Sequence, residues 1–116
     1  MATWTDVARE VGDLPETAAS TAHEGSPAFE VRHRQFLRQR VVDGRTVLQF
    51  WVRDTGVQDS FVQPAPDTFW VHHRFAVPAT MAWLDRLDGE TLREVLVESW
   101  IARAPRGLVR AHPTLK

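Results

Sequence analysis

The sequence predicts an α+β domain in which an antiparallel sheet of about five strands carries an N-terminal and a C-terminal helix on one face. Two observations predict this class. Apolar residues recur at helical spacing near both ends of the chain, and strand-like runs lie between them on both sides of the turn sequence Asp43-Gly44. The order of helix, strands and helix is typical of one domain over residues 1–116.

The first helix is expected from about Trp4 to Val11. Thr3 is a suitable N-cap, and Asp6 follows it at the spacing of a capping box. Gly12 and Pro15 then end the helix. Its apolar positions define one face: Trp4, Val7, Val11 and Leu14.

The middle of the chain is predicted to form the sheet. Small polar residues at 16–27 indicate a connecting loop. Strands are expected at about 28–31, 35–42, 45–52, 68–72 and 78–84, with an irregular helical turn at 54–63. Asp43-Gly44 predicts a two-residue hairpin turn, which places Val42 opposite Arg45 and fixes the register.

This register assigns the residues of the hairpin to two faces. The predicted core face consists of Leu37, Val41, Leu48, Phe50 and Val52. The opposite face consists of Phe36, Arg38, Arg40, Val47, Gln49 and Trp51. Leu37, Leu48 and Phe50 are therefore expected to pack against apolar residues of the two helices, namely Val7, Leu92 and Leu96.

The last helix is expected to begin after Asp88, which is a good N-cap, and to end before Pro105. Its apolar face consists of Leu92, Val95, Leu96 and Trp100.

Composition narrows the classes of function. The absence of cysteine excludes a disulfide scaffold, a thiolate metal site and a cysteine nucleophile. No apolar run approaches the roughly 20 residues that cross a bilayer, and the first residues do not form a signal peptide pattern. We therefore expect a cytoplasmic protein without a membrane partner. The net charge of −1 means that any binding to nucleic acid must come from a local patch.

No pattern for catalysis or for a metal or cofactor stands out, so we expect a protein that is not an enzyme. Ser26, Ser60 and Ser99 lack a Gly-x-Ser-x-Gly setting, and there is no glycine-rich phosphate loop. His72 and His73 are adjacent in a predicted strand, so their side chains point to opposite faces and cannot bind one metal ion together. An acidic stripe on the first helix is typical of any amphipathic helix.

Several segments in order resemble the MmcQ/YjbR family over nearly the whole chain. They are Leu14-Pro15-Glu16, Ser26-Pro27-Ala28-Phe29-Glu30-Val31, Phe36 and Arg38, Asp67-Thr68-Phe69-Trp70-Val71, Pro78, Leu84-Asp85, Leu92-Arg93-Glu94-Val95-Leu96, Trp100 and Ala104-Pro105. The resemblance implies a CyaY-like (frataxin-like) fold with a double-wing arrangement of strands. Members of the family are commonly labelled DNA-binding, so the resemblance also implies that role.

The face opposite the core is the candidate binding surface. Aromatic side chains beside arginines can stack on bases and contact phosphates, which favours weak binding of DNA or single-stranded nucleic acid. The predicted site consists of Phe36, Arg38, Arg40 and Trp51, with His73, Arg74 and Arg106 as further contacts. The alternatives are a homodimer centred on Phe36, Val47 and Trp51, and a plain sheet surface on which arginines cover the aromatic rings.

Overall fold

The structure is a computed structural model that describes residues 1–71 and 79–115. Over these residues the chain forms four α-helices and six strands of one sheet. The helices are α1 (Trp4–Val11), α2 (Thr55–Val62), α3 (Gly89–Arg103) and α4 (Arg106–Ala111). The strands are β1 (Thr17–Thr21), β2 (Pro27–Val31), β3 (Arg34–Val42), β4 (Arg45–Trp51), β5 (Phe69–Val71) and β6 (Ala79–Trp83).

The described strands form one antiparallel sheet in the order β1-β2-β3-β4-β6-β5. The predicted α+β class is confirmed, with one strand more than expected. The additional strand is β1, which lies in the segment predicted to be a loop. It is an edge strand and most of its side chains are exposed, so its sequence of Thr, Ala and Ser shows no alternation of apolar and polar residues.

The hairpin between β3 and β4 has the predicted turn and register. Asp43 and Gly44 both have positive φ, 52° and 75°, as a type I′ turn requires. Val42 pairs with Arg45. The turn sequence therefore determines which residues of the two strands face each other.

The core lies between the sheet and helices α1 and α3. Leu37, Leu48 and Phe50 are buried in one cluster with Val7, Leu92 and Leu96 of the helices, as predicted. The expectation that Val41 belongs to the core is wrong, because its side chain is 66% exposed. Val41 is one residue from the end of β3, and its exposure shows that the end of the hairpin projects beyond the helices.

Phe36 lies in a bulge, which corrects its predicted position on the outer face. Phe29 pairs with Leu37, but the next pair is Glu30 with Gln35, so Phe36 is an extra residue in β3. An extra residue interrupts the alternation of side chains along a strand. Phe36 is consequently 0% exposed and belongs to the core together with its neighbour Leu37.

The helix ends follow the predicted caps. Thr3 and Asp6 form a capping box at the start of α1, and Asp88 accepts a 2.7 Å hydrogen bond from the Thr91 N–H at the start of α3. The irregular turn expected at 54–63 is a regular helix, α2, capped by Asp54. A short helix that the sequence did not predict, α4, follows directly after Pro105.

Candidate functional site

The outer face of the sheet holds the predicted arginine pair, Arg38 and Arg40, on either side of Gln49. Arg38 pairs with Gln49 across the strands, and Arg40 Nε donates a 2.5 Å hydrogen bond to Gln49 Oε1. Both arginines are half-buried. Burial lowers the pKa of Arg40, and the charge of Arg38 lowers it further. The two guanidinium groups therefore share one face, but they are partly desolvated.

Two tryptophan side chains pack together on this outer face, and an arginine covers one of them. Trp70 and Trp83 lie on neighbouring strands with their ring centroids 4.7 Å apart. The guanidinium carbon of Arg45 lies 3.9 Å from the Trp83 ring and is held there by a bidentate ion pair with Asp85. Such contacts stabilise an open sheet face without any ligand.

Among the other predicted site residues within the described ranges, Phe36 does not reach the surface. Phe36 is buried in the core, and Trp51 is half-buried at the end of β4. Arg106 is exposed on α4. His73 and Arg74 lie outside the described residues.

The apolar patch predicted for a homodimer is not exposed. Phe36 and Val47, two of the three residues at its centre, are both 0% exposed. Within the described ranges, the exposed large hydrophobic residues are Met1, Val41 and Val42. The self-association hypothesis therefore has no contiguous apolar surface at the position where it was expected.

A groove at the junction of α3 and α4 collects four arginines from three separate segments, and we call it the arginine groove. Arg34 begins β3, Arg53 follows β4, and Arg106 and Arg110 lie on α4. The groove has a volume of about 580 Å³, and apolar residues of α3 and α4 form the rest of its lining. Four cations line one concave surface, which is the chemistry expected of an anion site.

Most of this positive charge lacks an acidic partner. Arg53 is paired with Glu98, which accepts bonds from Arg53 Nε at 3.0 Å and Nη2 at 2.8 Å. Arg34, Arg106 and Arg110 are exposed, and none of their side chains has an ion pair or hydrogen bond within the part of the chain that the structure describes. Three guanidinium groups are thus available to an anionic ligand.

Arg103 contacts both Trp51 and the β3 backbone next to Arg34. Its Nε donates a 2.8 Å hydrogen bond to the carbonyl oxygen of Gln35, and its guanidinium carbon lies 4.8 Å from the centre of the Trp51 ring. Burial lowers the pKa of Arg103, and the positive charge of Arg34 lowers it further. Arg103 and Arg34 are therefore close enough for their charges to repel each other.

A second cavity of about 530 Å³ lies between α2 and α3, and we call it the apolar cleft. Its apolar walls come from α2, α3 and the turn Pro113–Leu115. They consist of Val57, Phe61, Val97, Ile101 and Leu115. The apolar cleft and the arginine groove share Arg53 and Ile101, so the two cavities adjoin.

The described residues hold no group of three or more His, Asp or Glu side chains that would form a metal site. Of the serines considered as nucleophiles, Ser99 is buried and its hydroxyl group bonds the backbone of β3 and β4. Across residues 1–71 and 79–115, no helix is both long and apolar enough to span a bilayer.

Comparison with known proteins shows close relatives in mycobacteria. The proteins named "Uncharacterized protein Rv2570" of Mycobacterium tuberculosis and "Uncharacterized protein Mb2600" of Mycobacterium bovis are each 30% identical to this chain over 123 residues. The alignment covers 96% of this chain and 95% of each relative. The chain belongs to the same family as these proteins. No family model matches the sequence.

The fold of this family member also has a solved counterpart. The Deinococcus radiodurans protein DR2400, a DUF419 domain, superposes with a TM-score of 0.74 over 99% of this chain and 88% of that chain, at 18% identity. At this identity the likeness shows the fold, which is MmcQ/YjbR-like. A shared fold does not by itself determine function.

The arginine groove could not be found from the sequence pattern. Its arginines are separated by as many as 76 positions, and they meet because Arg34 and Arg53 lie at the same end of the β3–β4 hairpin. Of the groove arginines, Arg106 is the one that the sequence predicts as a contact. The available signal was the dominance of arginine among the basic residues, which gives no position.

Proposed function

We propose that the protein is a member of the MmcQ/YjbR family that binds nucleic acid weakly, through contacts between the phosphate backbone and the arginine groove. The observation that carries the proposal is the set of three exposed arginines, Arg34, Arg106 and Arg110, which have no acidic partner in the described structure. Guanidinium groups form planar, forked hydrogen bonds with phosphate oxygens, so a cluster of them favours this ligand.

The charge of the protein sets the strength and the specificity of this binding. With a net charge of −1 the protein as a whole does not attract a polyanion, so attraction is confined to the groove. Contacts with phosphates position a nucleic acid but do not read its sequence. We therefore expect weak binding with little sequence preference.

The arginine groove is a better location for this function than the outer face of the sheet. Arg38 and Arg40 are half-buried, and the Arg40 side chain is held by Gln49. Binding a phosphate there would first require these groups to break their contacts. Arg106 and Arg110 are exposed and need no such rearrangement.

Trp51 supports single-stranded ligands as the preferred form. It is half-buried beneath Arg103, whose charge is close to that of Arg34 in the groove. An aromatic ring beside arginines is the arrangement on which unpaired bases stack in proteins that bind single strands.

Fluorescence anisotropy of a labelled oligonucleotide, single-stranded or duplex, tests the proposal at about 50 mM salt with protein up to about 100 μM. Three double variants carry the same change of net charge. Arg106→Glu with Arg110→Glu should abolish binding, whereas Arg38→Glu with Arg40→Glu should reduce it only slightly. Arg9→Glu with Arg86→Glu is the matched control, because both residues are exposed and neither lines the arginine groove.

The outcomes separate the possible sites. Loss of binding in the Arg38 and Arg40 variant alone would move the site to the outer face of the sheet. Equal effects in all three variants would show that net charge and not a site determines binding. No binding by the unmodified protein would refute the proposed function.

A further inference from the structure

We propose that the protein has a site for a small amphiphilic anion, formed by the apolar cleft and the arginine groove together. The two cavities share Arg53 and Ile101, so a single molecule can extend from one into the other. The class of ligand is a molecule with a flat aromatic or aliphatic body and one carboxylate, sulfonate or phosphate group. This proposal does not depend on nucleic-acid binding, because the apolar cleft has no role in contacts with phosphates.

The apolar cleft has the size and the lining of a small-molecule site. Its volume of about 530 Å³ lies within the range of ligand pockets, and its apolar walls are half-buried aliphatic side chains with one aromatic ring. Ser60, Glu94 and Arg93 also line it, and Arg93 is ion-paired with Glu10 at 3.7 Å. Phe61 is held in place by Phe50 and Phe69, at ring-centroid distances of 5.6 and 5.3 Å. The wall of the cleft is therefore preorganised, which lowers the entropy cost of binding.

The distribution of charge determines the orientation of the ligand in the site. At the junction of the cavities, Glu98 is 8% exposed and its two oxygens accept hydrogen bonds from Arg53, so its negative charge is neutralised. Beyond Arg53 lie the exposed Arg106 and Arg110. The anionic group of the ligand is therefore expected in the arginine groove and its apolar body in the cleft.

Binding of 1-anilinonaphthalene-8-sulfonate, a fluorescent amphiphilic anion, tests the proposal directly. We expect saturable binding of one molecule per chain with a Kd on the order of 10–100 μM, as is typical for a ligand of this size. Decanoate should displace the probe. Decanol, which lacks the charge, should displace the probe with an affinity at least about tenfold lower than that of decanoate. Inorganic phosphate, which lacks the apolar body, should not displace the probe.

Two variants separate the apolar part of the site from the charged part. Val97→Gln changes a wall of the cleft without changing the charge and should weaken binding of the probe roughly fivefold or more, while nucleic-acid binding stays unchanged. Val41→Gln, at an exposed valine outside both cavities, is its matched control. Arg106→Ser with Arg110→Ser should weaken the binding of decanoate but not the binding of decanol. Arg9→Ser with Arg86→Ser is the control pair.

Near-ultraviolet circular dichroism shows whether each variant is folded, because the probe also binds molten states. If Val97→Gln does not fold, the arginine variant still decides the question, since its altered residues are exposed. Binding that does not saturate, or equal displacement by decanol and decanoate, would overturn the proposal. If the unmodified protein binds the probe but no oligonucleotide, only the proposed function is refuted.

Discussion

The hydroxyl group of Ser99, in the middle of α3, donates a hydrogen bond to the carbonyl oxygen of Phe36 in β3. The same hydroxyl accepts a 2.9 Å hydrogen bond from the Trp51 N–H in β4. The last regular pair of this ladder is Leu37 with Phe50, so the serine satisfies backbone groups that the strands no longer provide for each other. A helix side chain thus completes the sheet beside the bulge.

Ser99→Ala should destabilise the protein by about 1–3 kcal/mol, because it leaves two backbone groups without a partner at a position that is 0% exposed. Urea unfolding followed by circular dichroism measures the change. Ser60→Ala is the control, since the Ser60 hydroxyl is exposed and bonds only within its own helix, and it should cost less than about 0.5 kcal/mol. Equal effects in the two variants would contradict this role of Ser99.

Two glycine substitutions should change stability in opposite directions. Gly44→Ala should destabilise the protein by roughly 1 kcal/mol, because the hairpin turn needs a φ of 75° that alanine adopts poorly. Gly107→Ala should stabilise it by up to about 1 kcal/mol, because Gly107 lies within α4 and an added Cβ meets no atom there. Urea midpoints that shift in the same direction for both variants would show that this account of the turn is wrong.

The N-cap of α3 predicts a loss of stability in acid. The hydrogen bond from the Thr91 N–H lowers the pKa of Asp88. Since the pKa is lower in the folded state, the stabilisation is present above the unfolded pKa of about 3.9 and is lost as the pH falls through the folded value. The melting temperature should therefore decrease when the pH is lowered below about 4.5.

Asp88→Asn tests this pH dependence, because asparagine also caps helices but carries no charge. The variant should match the unmodified protein closely at pH 7 and lose less stability in acid. Asp67→Asn removes an exposed carboxylate that makes no hydrogen bond in the described structure, and it should leave the acid profile unchanged. An acid profile of Asp88→Asn that is identical to that of the unmodified protein would count against the prediction.

Salt should weaken nucleic-acid binding only moderately. Three available arginines neutralise about three phosphates, so the slope of log affinity against log salt should be about −2 to −4. Arg110→Ser should reduce the magnitude of the slope by about 1, and Arg86→Ser should not change it. Anisotropy titrations at several salt concentrations measure the slope. A much steeper dependence would require phosphate contacts outside the arginine groove.

The parts of the fold that the sequence predicts well are those with local physical causes. A type I′ turn needs two residues that tolerate positive φ, and Asp43-Gly44 provides them. This turn then determines the register of the hairpin. The caps at Thr3 and Asp88 mark the starts of α1 and α3 for an equally local reason. Each signal lies within four residues of the feature that it predicts.

The parts that the sequence does not predict depend on distant contacts. The bulge at Phe36 exists where Ser99 replaces a strand partner, and no pattern near residue 36 records this. Strand β1 is stabilised by pairing with β2 and not by its own composition. The arginine groove likewise forms only when α4 packs beside the end of the hairpin, so the periodicity of the sequence does not record it.

The contacts of helix α3 determine the stage of synthesis at which the fold can be completed. Its polar contacts reach back 45 residues from Glu98 to Arg53, 63 from Ser99 to Phe36, 68 from Arg103 to Gln35 and 85 from Trp100 to Pro15. A nascent chain that has passed β6 but has not yet reached α3 therefore has its strands without the groups that complete them. We expect the protein to become resistant to proteases only after residue 103 has left the ribosome, because α3 supplies these contacts.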